Sequence, residues 1–251
     1  MNSGFEKATG AYVMPLNLDA YLPPDYIQKA VMEMEAHPHL AGISGTEWKW
    51  IDGQFTQEVN PTSGPIYIRK WIQFRASKNK GEQDSFGIHG SYPLIRMKAL
   101  NETYDILGYY YDPKFEHDWE DSDLWFRLNW LGWTMRHTPK LQAWHVKSAS
   151  AEGKTRLLEK SQTHQRRVFR NRRYIIHKNL SPRLRRLTLL HRIGLELLFP
   201  VYLMLRHSKS LKPWRQAKKD YKDNVELIEK DHQKIMASRK VDDESLVQKF
   251  F

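Results

Sequence analysis

The chain has 251 residues, a net charge of +11 and no cysteine, a length that allows one or two domains with a substantial core. The absence of cysteine excludes a disulfide framework and a thiolate metal site, so any metal must bind oxygen or histidine ligands. The first ten residues contain no apolar core of the kind that a secretory signal has, which predicts a cytoplasmic protein.

The predicted elements of the first half alternate as in an α/β sheet. The apolar segment 11–16 predicts a strand, and Pro23 opens a helix that is predicted to run to about Ala36. β-branched, aromatic or apolar residues predict further strands at 40–44, 66–74 and 90–97. Asp52-Gly53 is a turn signal that predicts a hairpin.

The second half of this region contains one more helix and one more strand. Leucines recur at helical spacing up to Leu131, which predicts a helix over 119–131. Asp118 is suited to cap the start of this helix, and Gly132 is suited to end it. The apolar segment 141–146 then predicts a strand.

The positive charge is concentrated beyond this point. Residues 1–150 contain 15 Lys and Arg against 18 Asp and Glu, a net charge of −3, whereas residues 151–251 contain 25 against 11, a net charge of +14. This asymmetry predicts a catalytic or ligand-binding body over 1–150 and a basic helical tail over 151–251. The basic tail favours an anionic surface as a partner.

Three acids, Glu120, Asp121 and Asp123, stand in the first turn of the predicted helix 119–131. Acids are common at this position because the helix dipole favours negative charge there, so a purely structural role stays open. A carboxylate fixed at a rigid helix start is also suited to act as a general base toward a hydroxyl.

A second group of polar residues stands at predicted strand ends. Asn17 and Asp19 follow the first strand, and His145 lies near the end of the last one. Ligands of open α/β sheets bind at the carboxyl ends of strands. One carboxylate, one imidazole and a diphosphate can complete the coordination of Mg²⁺ or Mn²⁺. An Asx turn at Asn17 and a surface histidine would explain the same residues without a ligand.

Several short segments stand in the order found in a known enzyme family. They are Asn2-Ser3-Gly4, Ala8–Tyr12, Leu16–Asp19, Tyr111-Asp112, Trp119–Leu124 with Arg127, Leu131–Trp133, Pro139, Ala143–His145 and Arg170–Tyr174. In this order they resemble the family 2 glycosyltransferases, particularly the rhamnosyltransferase-like and galactofuranosyltransferase-like branches. The resemblance covers about residues 1–180 and implies the GT-A (Rossmann-like) fold of nucleotide-diphospho-sugar transferases, followed by an α-helical basic tail.

The resemblance implies a metal site that holds the donor. Leu16–Asp19 looks like the DxD motif of the family with Asn in the first position, so Asp19, together with Asn17, is expected to hold Mn²⁺ or Mg²⁺ on the diphosphate of a nucleotide sugar. Ala143–His145 resembles the strand that delivers the metal-binding histidine of the family. His145 is therefore expected to complete the metal site.

The resemblance also implies how the acceptor reacts. Asp121 is expected to be the general base that removes the proton of the acceptor hydroxyl, with inversion at the anomeric carbon, and Glu120 is expected to position the acceptor or Asp121. Trp119, Asp123 and Trp144 are expected to contact the acceptor, a cell-surface saccharide or a lipid-linked one. For the two tryptophans, a place in the core is an equally good interpretation.

Two departures from the family pattern give further expectations. Family members carry additional strands before the segment that begins at Asn2, including an acid that binds the nucleobase or ribose. The chain is therefore expected to be a fragment, to receive the missing part from a partner polypeptide, or to be a catalytically inactive remnant that binds a membrane or a partner. The Gln-x-x-Arg-Trp motif of processive synthases is not met by residues 165–169, which favours transfer of a single sugar.

The tail contains an apolar segment, 187–205, that is interrupted by His191, Arg192, Glu196 and Pro200. A spanning helix needs about 20 nearly uncharged residues, so we expect a helix in the plane of the inner face of the cell membrane. Packing onto the body or onto a partner is the alternative. Residues 216–251 mix charges of both signs in a pattern typical of a solvated helix.

Nucleic-acid binding through the basic run 166–192 is a further alternative. Aromatic residues for base stacking are sparse in this run, and it matches no known nucleic-acid-binding module. We therefore predict no nucleic-acid partner.

Overall fold

The computed structural model describes residues 2–60, 63–69, 73–76, 81–146 and 156–249. Its strands are β1 Tyr12–Val13, β2 Ala20–Tyr21, β3 Leu40–Ile51, β4 Gln54–Val59, β5 Ile66–Arg69, β6 Gln73–Ala76, β7 Gln83–Ser85, β8 Leu94–Arg96 and β9 Thr134–His145. Seven of them form one sheet in the order β1-β8-β3-β9-β2, with β4 added on β3 and β7 on β9, while β5 and β6 pair separately.

The two long strands β3 and β9 are parallel neighbours at the centre of the sheet, and their pairing contains a bulge. β9 inserts extra residues between its pairings with Ser44 and Thr46. Pro139 lies in the bulge, where a residue without an N–H does not interrupt the ladder. A Cβ atom on Gly45 would overlap the carbonyl oxygen of Leu141, so the close approach of the two strands at the bulge requires glycine.

Helices cover both faces of the sheet. They are α1 Asn2–Lys7, α2 Tyr26–Ala36, α3 Met97–Leu107, α4 Glu120–Trp130, α5 Gln162–Asn179, α6 Pro182–Leu187, α7 Leu189–Arg206, α8 Leu211–Asp223, α9 Val225–Ser238 and α10 Asp243–Val247. α2 packs on one face, where Tyr26 and Met34 join Leu40 and Ile43 in a small core. α3, α4, α5 and α9 contribute to the larger core.

The mixed α/β core and the helical C-terminal part confirm the predicted fold class. The helix that ends at Ala36 and the hairpin are also confirmed, and the hairpin turn has the positive φ angles of 49° at Asp52 and 77° at Gly53 that a tight turn needs. The predicted strand 11–16 is restricted to Tyr12–Val13, since Pro15 cannot donate to a ladder.

The C-terminal helices pack against the body, which corrects the prediction of a solvated helix over 216–251. α9 buries Ile228, His232 and Ile235, and His232 Nδ1 lies 3.0 Å from the carbonyl oxygen of Lys178. Among the described residues, no helix combines the length and the apolar character needed to cross a membrane. The predicted boundary at residue 150 lies outside the described residues and stays a prediction.

Candidate functional site

The residues predicted for the donor and the metal meet at the carboxyl edge of β3 and β9. β2 pairs with β9 so that Ala20 lies opposite His145, which brings the segment before β2 to the histidine. Asp19 Oδ1 lies 2.9 Å from His145 Nε2, and Asn17 Nδ2 lies 3.4 Å from the same nitrogen. The structure thus brings Asn17 and Asp19 to a histidine that is more than a hundred positions away in the sequence.

Glu47 is a residue of this site that the sequence analysis missed. It lies on β3, fully buried, with Oε2 3.2 Å from His145 Nδ1, so that His145 lies between two carboxylates. Burial alone would lower the pKa of His145, but its hydrogen bonds and charge interactions with Glu47 and Asp19 outweigh burial and raise this pKa. The available signal was an acid that directly follows the uncharged run 40–46.

The loop 89–91 forms a further side of the site and was also missed. Ser91 Oγ lies 3.5 Å from His145 Nδ1, and His89 Nδ1 lies 3.4 Å from Glu47 Oε2. The two loop side chains are joined to each other, with 3.1 Å between His89 Nδ1 and Ser91 Oγ. No sequence motif marks this loop, because its role depends on contacts with β3 and β9.

Gly90, between these two residues, connects the histidine cluster to the predicted base. A Cβ atom built on Gly90 would lie 2.8 Å from Asp121 Oδ2, so any larger residue at this position would displace the carboxylate of Asp121. The other carboxylate oxygen, Oδ1, accepts hydrogen bonds from the backbone N–H of Ser122 at 2.6 Å and from its hydroxyl at 3.2 Å. Burial raises the pKa of Asp121, which makes its ionised form a stronger base.

The turn before Asp121 is strained. Three of the four non-glycine residues with positive φ in the described part of the chain lie here, Glu116 at 60°, Asp118 at 71° and Trp119 at 75°. Left-handed backbone at such residues costs about 1–3 kcal/mol each and is found preferentially at functional sites. Trp119, not Asp118, occupies the N-cap position of α4, and its side chain makes no capping hydrogen bond, which corrects the predicted cap.

Two residues of α5 hold this turn in place. The side-chain amide of Asn171 donates to the carbonyl oxygens of Phe115, His117 and Asp118 at 2.9, 3.0 and 2.7 Å. Arg170 Nη2 donates to the Phe115 carbonyl oxygen at 3.1 Å. Both residues belong to the segment Arg170–Tyr174, but no sequence pattern predicts that they support the backbone next to the acids.

The pKa of Glu120, the residue before Asp121, is strongly raised. Burial, followed by the negative charges of Asp121 and Asp118, raises the pKa of Glu120 to about 7. Within the described parts of the chain, its buried Oε2 accepts no hydrogen bond. Two adjacent carboxylates that are both shifted upwards are a frequent property of acid–base sites.

Asp123 occupies a different environment from the one predicted. Its fully buried carboxylate lies 3.0 Å from Arg127 Nε and 2.9 Å from Lys178 Nζ, and it accepts a hydrogen bond from Asn179 Nδ2 at 2.8 Å. Lys178 Nζ also lies 2.7 Å from Asp112 Oδ2. No surface of Asp123 is left for an acceptor, so its predicted acceptor contact is corrected to a structural role that binds α5 to α4.

The two predicted acceptor tryptophans lie apart. Trp144 points to the opposite face of β9 from His145, where its ring centroid is 5.2 Å from Phe55 and its Nε1 donates to the Thr56 carbonyl at 3.0 Å. Trp144 is half-buried in this aromatic group, and its predicted contact with the acceptor stays a prediction. Trp119 is half-buried and directly precedes Glu120, so its predicted role stays a prediction.

The Asp19 and His145 pair has the geometry of two metal ligands. Adjacent ligands of an octahedral Mg²⁺ with bonds of about 2.1 Å lie about 3 Å apart, and Asp19 Oδ1 lies 2.9 Å from His145 Nε2. A metal-binding histidine usually donates its second N–H to a carboxylate, as Glu47 would allow. Across the described ranges between residues 2 and 249, no three His, Asp or Glu side chains converge into a complete metal-binding group. The pair fits as a partial ligand set that a diphosphate and water would complete.

Comparison with known proteins agrees with the motifs. Residues 1–103 match the protein-family model described as Glycosyl transferase family 2, which supports the prediction of a glycosyltransferase. The search of curated proteins finds no match. Among solved structures, the chain is similar to one described as "Crystal structure of GalNAc-T7 with UDP, GalNAc and Mn2+", with 14% identity and a TM-score of 0.45 over 82% of this chain and 43% of that one. The chain therefore spans less than half the length of that protein.

Proposed function

We propose that the protein transfers a sugar from a nucleotide-sugar donor to a hydroxyl group of a saccharide or lipid-linked acceptor. The observation that supports this proposal most directly is the loop 89–91. Its Gly90 lies against the carboxylate of Asp121, while its Ser91 Oγ lies 3.5 Å from Nδ1 of His145, the partner of Asp19. One end of this site is suited to hold a diphosphate through a metal, and the other end is suited to accept a proton. For the donor, we propose a nucleotide sugar that carries rhamnose or galactofuranose, after the two branches of the family that the motifs resemble.

In this mechanism Asp121 takes the proton of the acceptor hydroxyl through Oδ2, the oxygen that faces Gly90, while Ser122 holds Oδ1 in place. The acceptor oxygen forms a bond to the anomeric carbon as the bond from this carbon to the diphosphate oxygen breaks. The electron pair leaves with the nucleoside diphosphate, and attack from the opposite side inverts the configuration. Glu120 stays next to Asp121 and positions it or the acceptor.

Asp19 and His145, with Asn17 beside them, would hold Mn²⁺ or Mg²⁺. When bound, the metal would neutralise the charge that develops on the leaving diphosphate. Glu47 orients the imidazole of His145 through Nδ1. His89 and Ser91 pack against this pair and restrict the positions that the histidine can adopt.

Calorimetric titration with UDP and other nucleoside diphosphates, with and without Mn²⁺, tests the donor half of the proposal. We expect binding that requires the metal and that Asp19→Asn reduces at least tenfold. Asp25→Asn is the matched control, because Asp25 is an exposed acid six positions further on that pairs only with Lys29 in the described structure. Binding that ignores the metal, or that both variants weaken equally, would contradict the assignment of Asp19.

We propose further that α7 attaches the protein to an anionic membrane surface on the cytoplasmic side. Leu190, Leu198 and Leu205 are 81%, 70% and 71% exposed on this helix, and basic residues stand on both sides of it. Leu198→Ser combined with Leu205→Ser should reduce co-sedimentation with vesicles that contain phosphatidylserine. Leu227→Ser, which changes an exposed leucine on another helix, should leave it unchanged, and equal losses would contradict the proposal.

A further inference from the structure

The C-terminal helices enclose a large groove beside the candidate site. It has a volume of about 940 Å³ and lies between α5, α7 and α8. This volume is at the upper end of the range of small-molecule sites in proteins. Nothing in the proposed reaction of the Asp19, His145 and Asp121 cluster uses this space.

One wall of the groove is aromatic and aliphatic. Phe169, Phe199 and Trp214 pack against one another with ring centroids 5.3–5.7 Å apart. Ile176 from α5 and Ile193 from α7 extend this surface along the groove. Such a wall is suited to an apolar chain, which gains about 0.8 kcal/mol for each methylene that it removes from water.

The charged residues of the lining are mostly cationic. Six Arg and Lys side chains line the groove against one acid, Glu196, which lies 2.9 Å from Arg173. The other five basic residues are Arg172, Arg185, Arg192, Lys218 and Lys222. Burial and the positive charge of Arg173 lower the pKa of Arg172 to about 10, and burial also lowers the pKa of Arg185. A group of like charges in partly desolvated surroundings favours a bound anion.

Two neighbours of the groove indicate how it relates to the rest of the protein. Trp119, the residue before Glu120, forms part of its lining, so the groove reaches the edge of the predicted acceptor site. α7 lines the groove with Arg192 and Ile193 and carries the exposed leucines on its other side. The groove therefore lies between the acids of α4 and the most apolar surface of the C-terminal region.

We propose that the groove binds a lipid that carries a phosphate group, with its chain against the aromatic wall and its phosphate among the arginines. The charge of the lining and its apolar wall together match an anionic amphiphile, and neither a neutral lipid nor a free phosphate uses both. The role of this lipid as the carrier of the acceptor hydroxyl rests on the proposed function. Lipid binding itself does not depend on the donor or on the metal.

Calorimetry with decyl phosphate below its micelle concentration tests this proposal without donor or metal. Decyl phosphate should bind at least tenfold more tightly than decanol or inorganic phosphate, because only the first probe satisfies both parts of the groove. Arg192→Gln should weaken it roughly tenfold, the usual range for loss of one charged hydrogen bond. Arg206→Gln on the same helix, outside the lining, should not.

A second pair of variants excludes effects of misfolding and of net charge. Lys218 and Lys222 are exposed side chains of the lining, whereas Lys212 and Lys219 are exposed on the same helix outside it. The double variant Lys218→Gln with Lys222→Gln should weaken decyl phosphate, and Lys212→Gln with Lys219→Gln should not. Equal losses in both, or equal affinity for all three probes, would overturn the lipid site. Such a result together with intact metal-dependent UDP binding would leave the proposed function in place.

Discussion

Two pairs of acids close to each other in the chain have opposite surroundings. Asp112 and Asp123 both contact the buried ammonium of Lys178, and although burial would raise the pKa of Asp112, the charges of Lys178 and Lys114 hold it well below its usual range. Glu120 and Asp121 lie in the same region, where the described residues place no buried ammonium against either carboxylate, and burial raises the pKa of both. The basic side chain nearest to Glu120 is that of the exposed His117, with 3.7 Å between Nδ1 and Oε1. The difference comes from α5, whose lysine reaches only the first pair.

This comparison separates stability from reactivity. A buried carboxylate with a matched cation contributes to the fold, and removing one partner leaves an uncompensated charge. A buried carboxylate without one makes the folded state less stable at neutral pH, and it persists where the site needs a base. The strained turn at 116–119, directly before the second pair, agrees with this division.

Exchanging one carboxylate of each pair for an amide gives the largest expected effects. Asp121→Asn should reduce kcat by about 10²–10⁴, the usual contribution of a general base, with little change in thermal stability. Asp123→Asn should destabilise the fold by about 3–5 kcal/mol, because Lys178 and Arg127 lose a charged partner. Single-turnover rates and urea unfolding of both variants measure these effects.

The two variants are controls for each other, since both change Asp to Asn within one turn of α4. The comparison fails if Asp121→Asn loses stability while keeping its rate. It also fails if Asp123→Asn keeps its stability while losing its rate.

Removing the cation tests the same division from the other side. Lys178→Met keeps the length of the side chain but leaves Asp112 and Asp123 without their shared partner, so we expect a loss of about 3–5 kcal/mol in the free energy of unfolding. Lys240→Met removes a surface pair with Glu102 and should cost at most about 1 kcal/mol. Urea unfolding of the two variants compares them directly, and similar losses would show that the buried network is no stronger than a surface pair.

The sequence predicted the residues of the site better than their arrangement. Asn17, Asp19 and His145 follow from the order of motifs, and the structure brings their side chains together. Glu47 and the loop 89–91 were missed, since their roles come from the parallel pairing of β3 with β9 and from one close approach at Gly90. Asp123 differs from Asp121 in its contacts with Lys178 and Asn179 of α5, which spacing along a helix does not reveal.

Loosening the strained turn should have an intermediate effect. Asn171→Ala removes the donor that three backbone carbonyls of the turn share, so we expect a loss of about 2–3 kcal/mol in stability. We also expect a roughly tenfold lower kcat, because small displacements of a base are costly. Asn224→Ala, which removes a hydrogen bond to one carbonyl, should lose about 1 kcal/mol and no activity. A normal kcat in a destabilised Asn171→Ala would mean that the turn supports the fold alone.

The raised pKa of Glu120 should make the free energy of unfolding depend on pH. Its pKa is raised to about 7 in the folded protein, so between about pH 4.5 and 7 the folded state keeps a proton that the unfolded state has lost. The contribution of Glu120 to stability therefore falls as the pH rises through this window. Glu120→Gln removes the effect, and the variant should be more stable than the original protein by roughly 2–3 kcal/mol at pH 8 but equal to it at pH 4.

Glu226→Gln, at an exposed acid in the first turn of α9, is the matched control and should have the stability of the original protein at every pH. Urea unfolding at pH 4, 6 and 8 measures the difference. If the stability of the original protein and that of Glu120→Gln change with pH in the same way, Glu120 is ionised at little cost in the folded protein, as Asp112 and Asp123 are.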